Sequence, residues 1–266
     1  MKKLIVSGDS FSDLHYRSGV FPNLDTGKWK KWPEYVAEYL DMELVCLAKT
    51  GKGNYYIYSS LLEYITNNDI DEIGGVIAAW TQCHRRDYEE HGAWCTNRLD
   101  NDGDVVGWVE RTLRHYQSFQ LLCERYDLPY THFQMNDFYE GYINGLGPTE
   151  DEQVFQGKTK EADTIWYEGN VKMTHHIILD VFRKYDKHIN NFLGWPPIQD
   201  EECSNLYDDY FLNDELYRPN NWQMVSKLLG NRAKYKKKYI IDEMDEHFNG
   251  AGNKKVAEIL IQELNI

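Results

Sequence analysis

The chain has 266 residues, enough to bury the core of one large domain, with or without an insertion. Its formal net charge of −14 argues against nucleic acid or an anionic membrane surface as a partner. Five scattered cysteines suit a reducing compartment, and no apolar run is long enough to span a bilayer.

Leu4-Ile5-Val6 is a short apolar run stopped by Ser7-Gly8-Asp9-Ser10, the pattern of a buried strand followed by a turn. Ser10 falls just past the strand's carboxyl end, where open α/β sheets build their sites. Because this strand begins almost at Met1, no signal peptide is expected and a cytoplasmic location is. Residues 44–48 read as a second strand, ending in Lys49-Thr50-Gly51-Lys52-Gly53-Asn54. A helix over 55–65 follows, with Ile57, Leu61 and Leu62 on one face and Asn54 placed to cap it. Gly75-Val76-Ile77-Ala78-Ala79 is a third buried strand, leading into Trp80-Thr81-Gln82-Cys83-His84-Arg85-Arg86-Asp87. Next come a helix over 108–126, with Val109, Leu113, Tyr116 and Phe119 at helical spacing, and a strand over 130–134. This alternation predicts a parallel sheet with right-handed crossovers.

Residues 140–236 are too long for one crossover. They read as a helical insertion over the sheet's carboxyl edge, within a single domain spanning 1–266. The insertion is rich in aromatics, including Trp166, Trp195, Tyr207, Tyr210 and Trp222. The adjacent His175 and His176 point to different helix faces and, like His188, have no Cys or carboxylate at ligand spacing, so neither metal nor cofactor is expected. At the far end, Asp245-Glu246-His247 precedes a Gly-rich stretch and an amphipathic helix over 254–264, which puts His247 on a loop.

Ser10 and His247, at opposite ends of the chain, make a chemical pair. A serine hydroxyl attacks only when a base takes its proton, and imidazole does this near neutrality. Gly8-Asp9-Ser10 after an N-terminal strand and His247 before the last helix resemble the SGNH (GDSL) hydrolases, a family of serine esterases, lipases and acyltransferases. The resemblance implies a three-layer α/β/α, flavodoxin-like fold, with Ser10 as nucleophile and His247 as base. The family's usual Asp-x-x-His would put the orienting acid at Met244. Asp245 is the nearer candidate here and Asp242 the second. Gly51 matches the glycine of the family's second block, whose N–H lines the oxyanion hole beside that of Ser10, with Gly53 as the alternative. In the third block the family commonly has Gly-x-Asn-Asp. This chain has no Asn there, and Thr81 or Gln82 takes its place, each with a donor to offer. Trp80-Thr81 followed by Arg resembles a phage-encoded branch of the family. Arg85 and Arg86 either hold a polar or anionic substrate group or join Asp87, Glu89 and Glu90 in a solvated charge cluster.

The expected activity is hydrolysis of a short-chain acyl oxygen ester, acetyl included. The abundance of Tyr and Trp favours a small-molecule or carbohydrate ester over a long acyl chain. Two readings stand beside it: acyl transfer by the same site, and a non-catalytic binding module that keeps the fold.

Overall fold

The computed structural model describes residues 1–97, 100, 104–136, 138, 180–195, 238–242 and 244–264. Five parallel strands form the central sheet. They are β1 (Lys3–Ser7), β2 (Glu43–Cys46), β3 (Ile73–Trp80), β6 (Tyr130–Gln134) and β7 (Phe192–Leu193), in the order β2-β1-β3-β6-β7. Strand side chains alternate between faces, and here each face is covered by helices. Leu4, Val6, Ile77, Ala79 and Phe133 pack with Trp32 and Val36 of α1 (Trp32–Tyr39) and with Val256 and Leu260 of α4 (Gly250–Glu263). Ile5, Val76, Ala78 and Trp80 turn the other way. They meet Ile57, Leu61 and Ile65 of α2 (Asn54–Asn67) and Val109, Leu113, Tyr116 and Phe119 of α3 (Val105–Arg125). The result is the expected three-layer α/β/α architecture, in which the inner strands β1 and β3 are buried on both faces and accordingly largely apolar.

The buried polar group His132 on β6 sits inside the α2–α3 core and is fully satisfied. Its Nδ1 accepts from Trp80 Nε1 at 3.1 Å and its Nε2 lies 2.9 Å from the carbonyl of Asn190. Burial pushes its pKa down to about 3, so the ring is neutral.

Several expectations change in the structure. Residues 86–97 form an antiparallel hairpin, β4 (Arg86–Glu90) and β5 (Ala93–Asn97), on which Arg86, Glu89 and Glu90 are exposed as a solvated charge cluster would be and Asp87 is buried. Asn54 is the first residue of α2 and gives that helix no side-chain cap. His247 lies on a strand: β8 (Ile240–Asp242) and β9 (Asp245–Phe248) form a second antiparallel hairpin. Most of 140–236 lies outside the described residues, including His175, His176, Trp166 and Trp222. The described part, 180–195, is helical over 180–185 and contributes β7 to the main sheet. Val181, Phe182, Ile189 and Phe192 are buried in the α2–α3 core, so this part of the segment belongs to the body of the domain. Among the described residues, no helix is long and apolar enough to cross a membrane and no cluster of ligand side chains could hold a metal.

Candidate active site

Parallel strands end at the same edge of the sheet. Ser10 follows β1, Gly51 follows β2, Thr81 follows β3 and Asn136 follows β6, so four loops converge there. The β8–β9 hairpin is delivered to this edge by α4. Asn249 caps the helix by accepting from Gly252 N, and its amide also donates to the carbonyls of Lys238 and Ile240. A Cβ on Gly252 would stand 2.0 Å from the carbonyl oxygen of Tyr239, so only glycine lets the helix start this close to the hairpin. Asn253 accepts from Trp32 N and donates to the carbonyls of Phe248 and Asn249, locking α1, α4 and the end of β9 together.

The two ends of the chain meet in a continuous relay. Ser10 Oγ lies 2.7 Å from His247 Nε2, and His247 Nδ1 lies 2.7 Å from Asp245 Oδ1. An ionised carboxylate can only accept, so Nδ1 carries the ring proton and the Nε2 lone pair faces the serine hydroxyl. The spacing of two residues works because β9 is extended: Asp245 and His247 point to the same face of the strand. Asp242 is exposed and accepts from the backbone N–H of Met244, apart from the imidazole.

Three side chains absent from the sequence reading hold this pair. The Tyr16 hydroxyl reaches both Asp245 oxygens, at 3.1 and 3.0 Å, and Ser18 Oγ donates to Oδ2. The Tyr16 ring also stacks on the imidazole at 4.0 Å, with Phe11 on the opposite face at 4.4 Å. Burial of Asp245 pushes its carboxyl pKa up. Hydrogen bonds from Ser18 and from the ring and backbone of His247 outweigh that and hold it below its ordinary value. No motif marks Phe11, Tyr16 and Ser18; only their nearness to Ser10 in sequence hints at a role.

Asp9 is the hub of the loops. Fully buried, it accepts from Phe11 N, Thr81 Oγ1 (2.8 Å), Asn136 Nδ2 (3.2 Å) and Arg85 Nη1 (3.4 Å). Asp13 does the same for the second block, accepting from Thr50 N and Thr50 Oγ1. Asn54 reaches across to the end of β3, accepting from Thr81 N and donating to Thr81 O, in place of the capping role expected of it. The cap comes from Asp87, expected in a solvated cluster. Its buried carboxylate accepts from Gly53 N and Tyr56 N at 2.8 Å and from Thr96 Oγ1, where the first turn of α2 has open donors.

These bonds show which donors remain. In the second block the N–H of Lys49 goes to Gly8, that of Thr50 to Asp13, that of Lys52 to Lys49 and that of Gly53 to Asp87. Between Lys49 and Gly53 only Gly51, exposed and at φ +76°, donates to nothing among the described residues. In the first block the N–H groups of Phe11 and Ser12 both go to Asp9, while that of Ser10 likewise finds no described acceptor. Thr81 is buried with its one hydroxyl proton directed at Asp9, which removes it from the expected set of donors. Gln82 is half-buried. Its Oε1 accepts from Arg85 Nε at 3.1 Å, and its Nε2 donates to none of the described residues. Arg86 pairs with Asp100, at 3.5 Å, in a network with Arg111, nearer to the charge cluster than to the substrate contact, the two readings open to it. Asn136 was missed, although its place just beyond the end of β6 is the signal that could have found it.

No family model matches this sequence, and no curated protein matches it. Solved structures do resemble the fold. One is the acetyl xylan esterase AlAXEase, 13% identical, covering 98% of this chain and 98% of that chain with a TM-score of 0.44. A second is a mutant of Axe2, an acetyl-xylooligosaccharide esterase from Geobacillus Stearmophilus, 11% identical, covering 100% of this chain and 94% of that one, TM-score 0.41. A third is a protein ascribed to the G-D-S-L lipolytic family from Desulfitobacterium hafniense DCB-2, 11% identical, covering 99% and 100%, TM-score 0.43. Likeness at this level carries no residue role to this chain.

Proposed function

We propose that this protein is a serine esterase of SGNH type. The observation that carries the reading is the relay Ser10–His247–Asp245, two contacts of 2.7 Å that join residues 237 positions apart. Ser10 Oγ attacks the carbonyl carbon of an oxygen ester as its proton passes to His247 Nε2. Asp245 holds the ring tautomer and stabilises the imidazolium, helped by Tyr16 and Ser18. The oxygen that becomes negative is taken by the open N–H groups of Ser10 and Gly51, with the Gln82 amide as a third donor. Collapse returns the proton from His247 to the leaving alkoxide oxygen, freeing the alcohol and leaving an acyl-Ser10. Water, deprotonated by His247, then attacks the acyl carbon; the bond to Ser10 Oγ breaks, His247 returns the proton to that oxygen, and the carboxylic acid leaves.

The substrate class that the aromatic-rich composition favours is a short acyl ester, acetyl first, on a small or carbohydrate alcohol. The resemblance to phage-encoded members rests on Trp80, Thr81 and Arg85 alone. Fluorophosphonate labelling followed by peptide mapping tests the reading. The label is expected on Ser10 and absent in Ser10→Ala, with hydrolysis of p-nitrophenyl acetate lost in parallel. A protein that hydrolyses the ester without Ser10 refutes the reading. Acetylated sugars and p-nitrophenyl esters of graded chain length then read the substrate class.

A further inference from the structure

Arg85 touches all three loops that carry the candidate oxyanion donors. Nη1 donates to Lys52 O at 2.9 Å, beside Gly51, and reaches Asp9 Oδ2 at 3.4 Å, beside Ser10. Nε donates to the side-chain carbonyl of Gln82 at 3.1 Å. The side chain is only 16% exposed, and its own backbone carbonyl is gripped by Arg111, which is paired in turn with buried Asp100. Here, then, is a cation held rigidly on an element already fixed at its other end. Its bonds face inward, toward the loops.

The bond to Gln82 has a directional consequence. A guanidinium has donors and no acceptor, so it can only take the oxygen of a carboxamide. Fixing that oxygen fixes the opposite end of the amide, and the two N–H groups of Gln82 are turned away from Arg85. The bond to Lys52 has a similar effect on the second block. The peptide between Lys52 and Gly53 is clamped from both sides, its carbonyl by Arg85 and its N–H by Asp87. The same loop carries the Gly51 N–H, which finds no acceptor among the described residues, and the clamp restrains the loop just after it.

We propose that Arg85 is the positioning residue of the oxyanion hole, setting the amide orientation of Gln82 and the geometry of the Gly51 loop, and not a binder of substrate. The proposal rests on the esterase reading. A planar fork is needed to serve Gln82 and Lys52 at once, and a lysine ammonium cannot replace it. Loss of Arg85 leaves Asp9 with Phe11 N, Thr81 and Asn136 as donors, so the loop keeps its anchor.

The test measures steady-state kinetics on p-nitrophenyl acetate for Arg85→Ala, Arg85→Lys, Gln82→Leu and the Arg85→Ala/Gln82→Leu double variant, with thermal melts alongside. The expected result is a fall in kcat of about 30-fold in Arg85→Ala and in Arg85→Lys, with KM within about twofold of wild type, because oxyanion donors act in the chemical step. Ethylguanidinium should restore part of kcat in Arg85→Ala and a smaller part in the double variant, where only the Gly51 loop is left to gain. The double variant should lose less than the product of the two single losses, since the Gln82 donor is lost in both singles and only the Gly51 part is added. A raised KM at unchanged kcat makes Arg85 a substrate clamp and overturns the proposal, as do additive losses or an Arg85→Lys that matches wild type. Should Arg85→Ala fail to fold, Arg85→Lys and Gln82→Leu decide alone. Fluorophosphonate labelling of the wild type separates the two ideas: no label on Ser10 sinks the esterase reading, and a labelled wild type with unimpaired Arg85 variants sinks this one alone.

Discussion

On the base side of the site Asp245 and His247 have their partners, whereas the oxyanion side is defined by groups that have none among the described residues. Asp245 accepts from Tyr16, Ser18 and His247, and the imidazole is stacked between two rings. Across the cleft, Asp9, Asp13 and Asp87 accept from the loop donors one after another and Arg85 donates to the Lys52 carbonyl, while the N–H groups of Ser10 and Gly51 find no acceptor among the described residues. The difference follows from the chemistry that the proposed esterase reading assigns to each side. A proton relay works between protein groups and can be complete without substrate. A hole for a developing charge has to wait for an atom that is not there, and its donors would be worthless if already bonded.

The largest effects should come from breaking the base side. Ser10→Ala and His247→Ala are each expected to lower kcat by a factor on the order of 10⁵, with the double variant barely worse, because members of a relay act as one unit. Multiplying losses in the ester assay would mean that the two residues do not share a step. Asp245→Asn should cost roughly 10³- to 10⁴-fold by favouring the wrong imidazole tautomer. Asp242→Asn, altering an exposed carboxylate bonded to Met244 N, should leave kcat at the wild-type value. Equal, mild losses from the two would assign the orienting role to neither.

That pair of carboxylates also marks how far the sequence can be read. Ser10, Gly51 and His247 are legible because strand ends and a terminal helix are strong local signals, and the sheet puts strand ends together. The choice between Asp245 and Asp242 is not legible while His247 is placed on a loop. It becomes obvious once the segment is extended, since residues two apart then share a face. Asp87 and Arg85 were masked by their neighbours: a run of Arg, Asp and Glu looks like surface, and only the β4–β5 hairpin turns Asp87 under α2. Phe11, Tyr16 and Ser18 carry no pattern at all. Their partners lie about 230 residues away, and a contact that long is made by the fold alone.

The oxyanion side can be sharpened by two substitutions one residue apart. Gln82→Leu removes an amide whose donors are open, so kcat should fall, by about a hundredfold if the amide reaches the oxyanion, while the melting temperature holds. Thr81→Val removes a hydroxyl that serves buried Asp9. It should destabilise the fold by about 1–3 kcal/mol and change kcat less. The reverse pattern, a stable Thr81→Val with crippled turnover, would move the third donor back to Thr81.

The smallest expected effect concerns the one bond that Ser18 donates to Asp245. Asp245 is held below its ordinary value of 3.8. The folded state therefore takes up its proton at lower pH than the unfolded chain, and stability rises with pH across the interval between the two values. This contribution is fully present above about pH 4 and is lost as acidification carries the medium through the folded-state value. Ser18 donates to a charged acceptor, and such bonds weaken when the acceptor is protonated. Ser18→Ala should thus cost about 1–2 kcal/mol in urea unfolding at pH 7, and the gap between variant and wild type should narrow below pH 4. Tyr16 still bonds both oxygens, so turnover should fall only a few-fold. A gap that stays constant from pH 7 to pH 3 would mean that Ser18 supports the loop through Phe21 N, its other partner, and contributes nothing to holding the charge behind the imidazole.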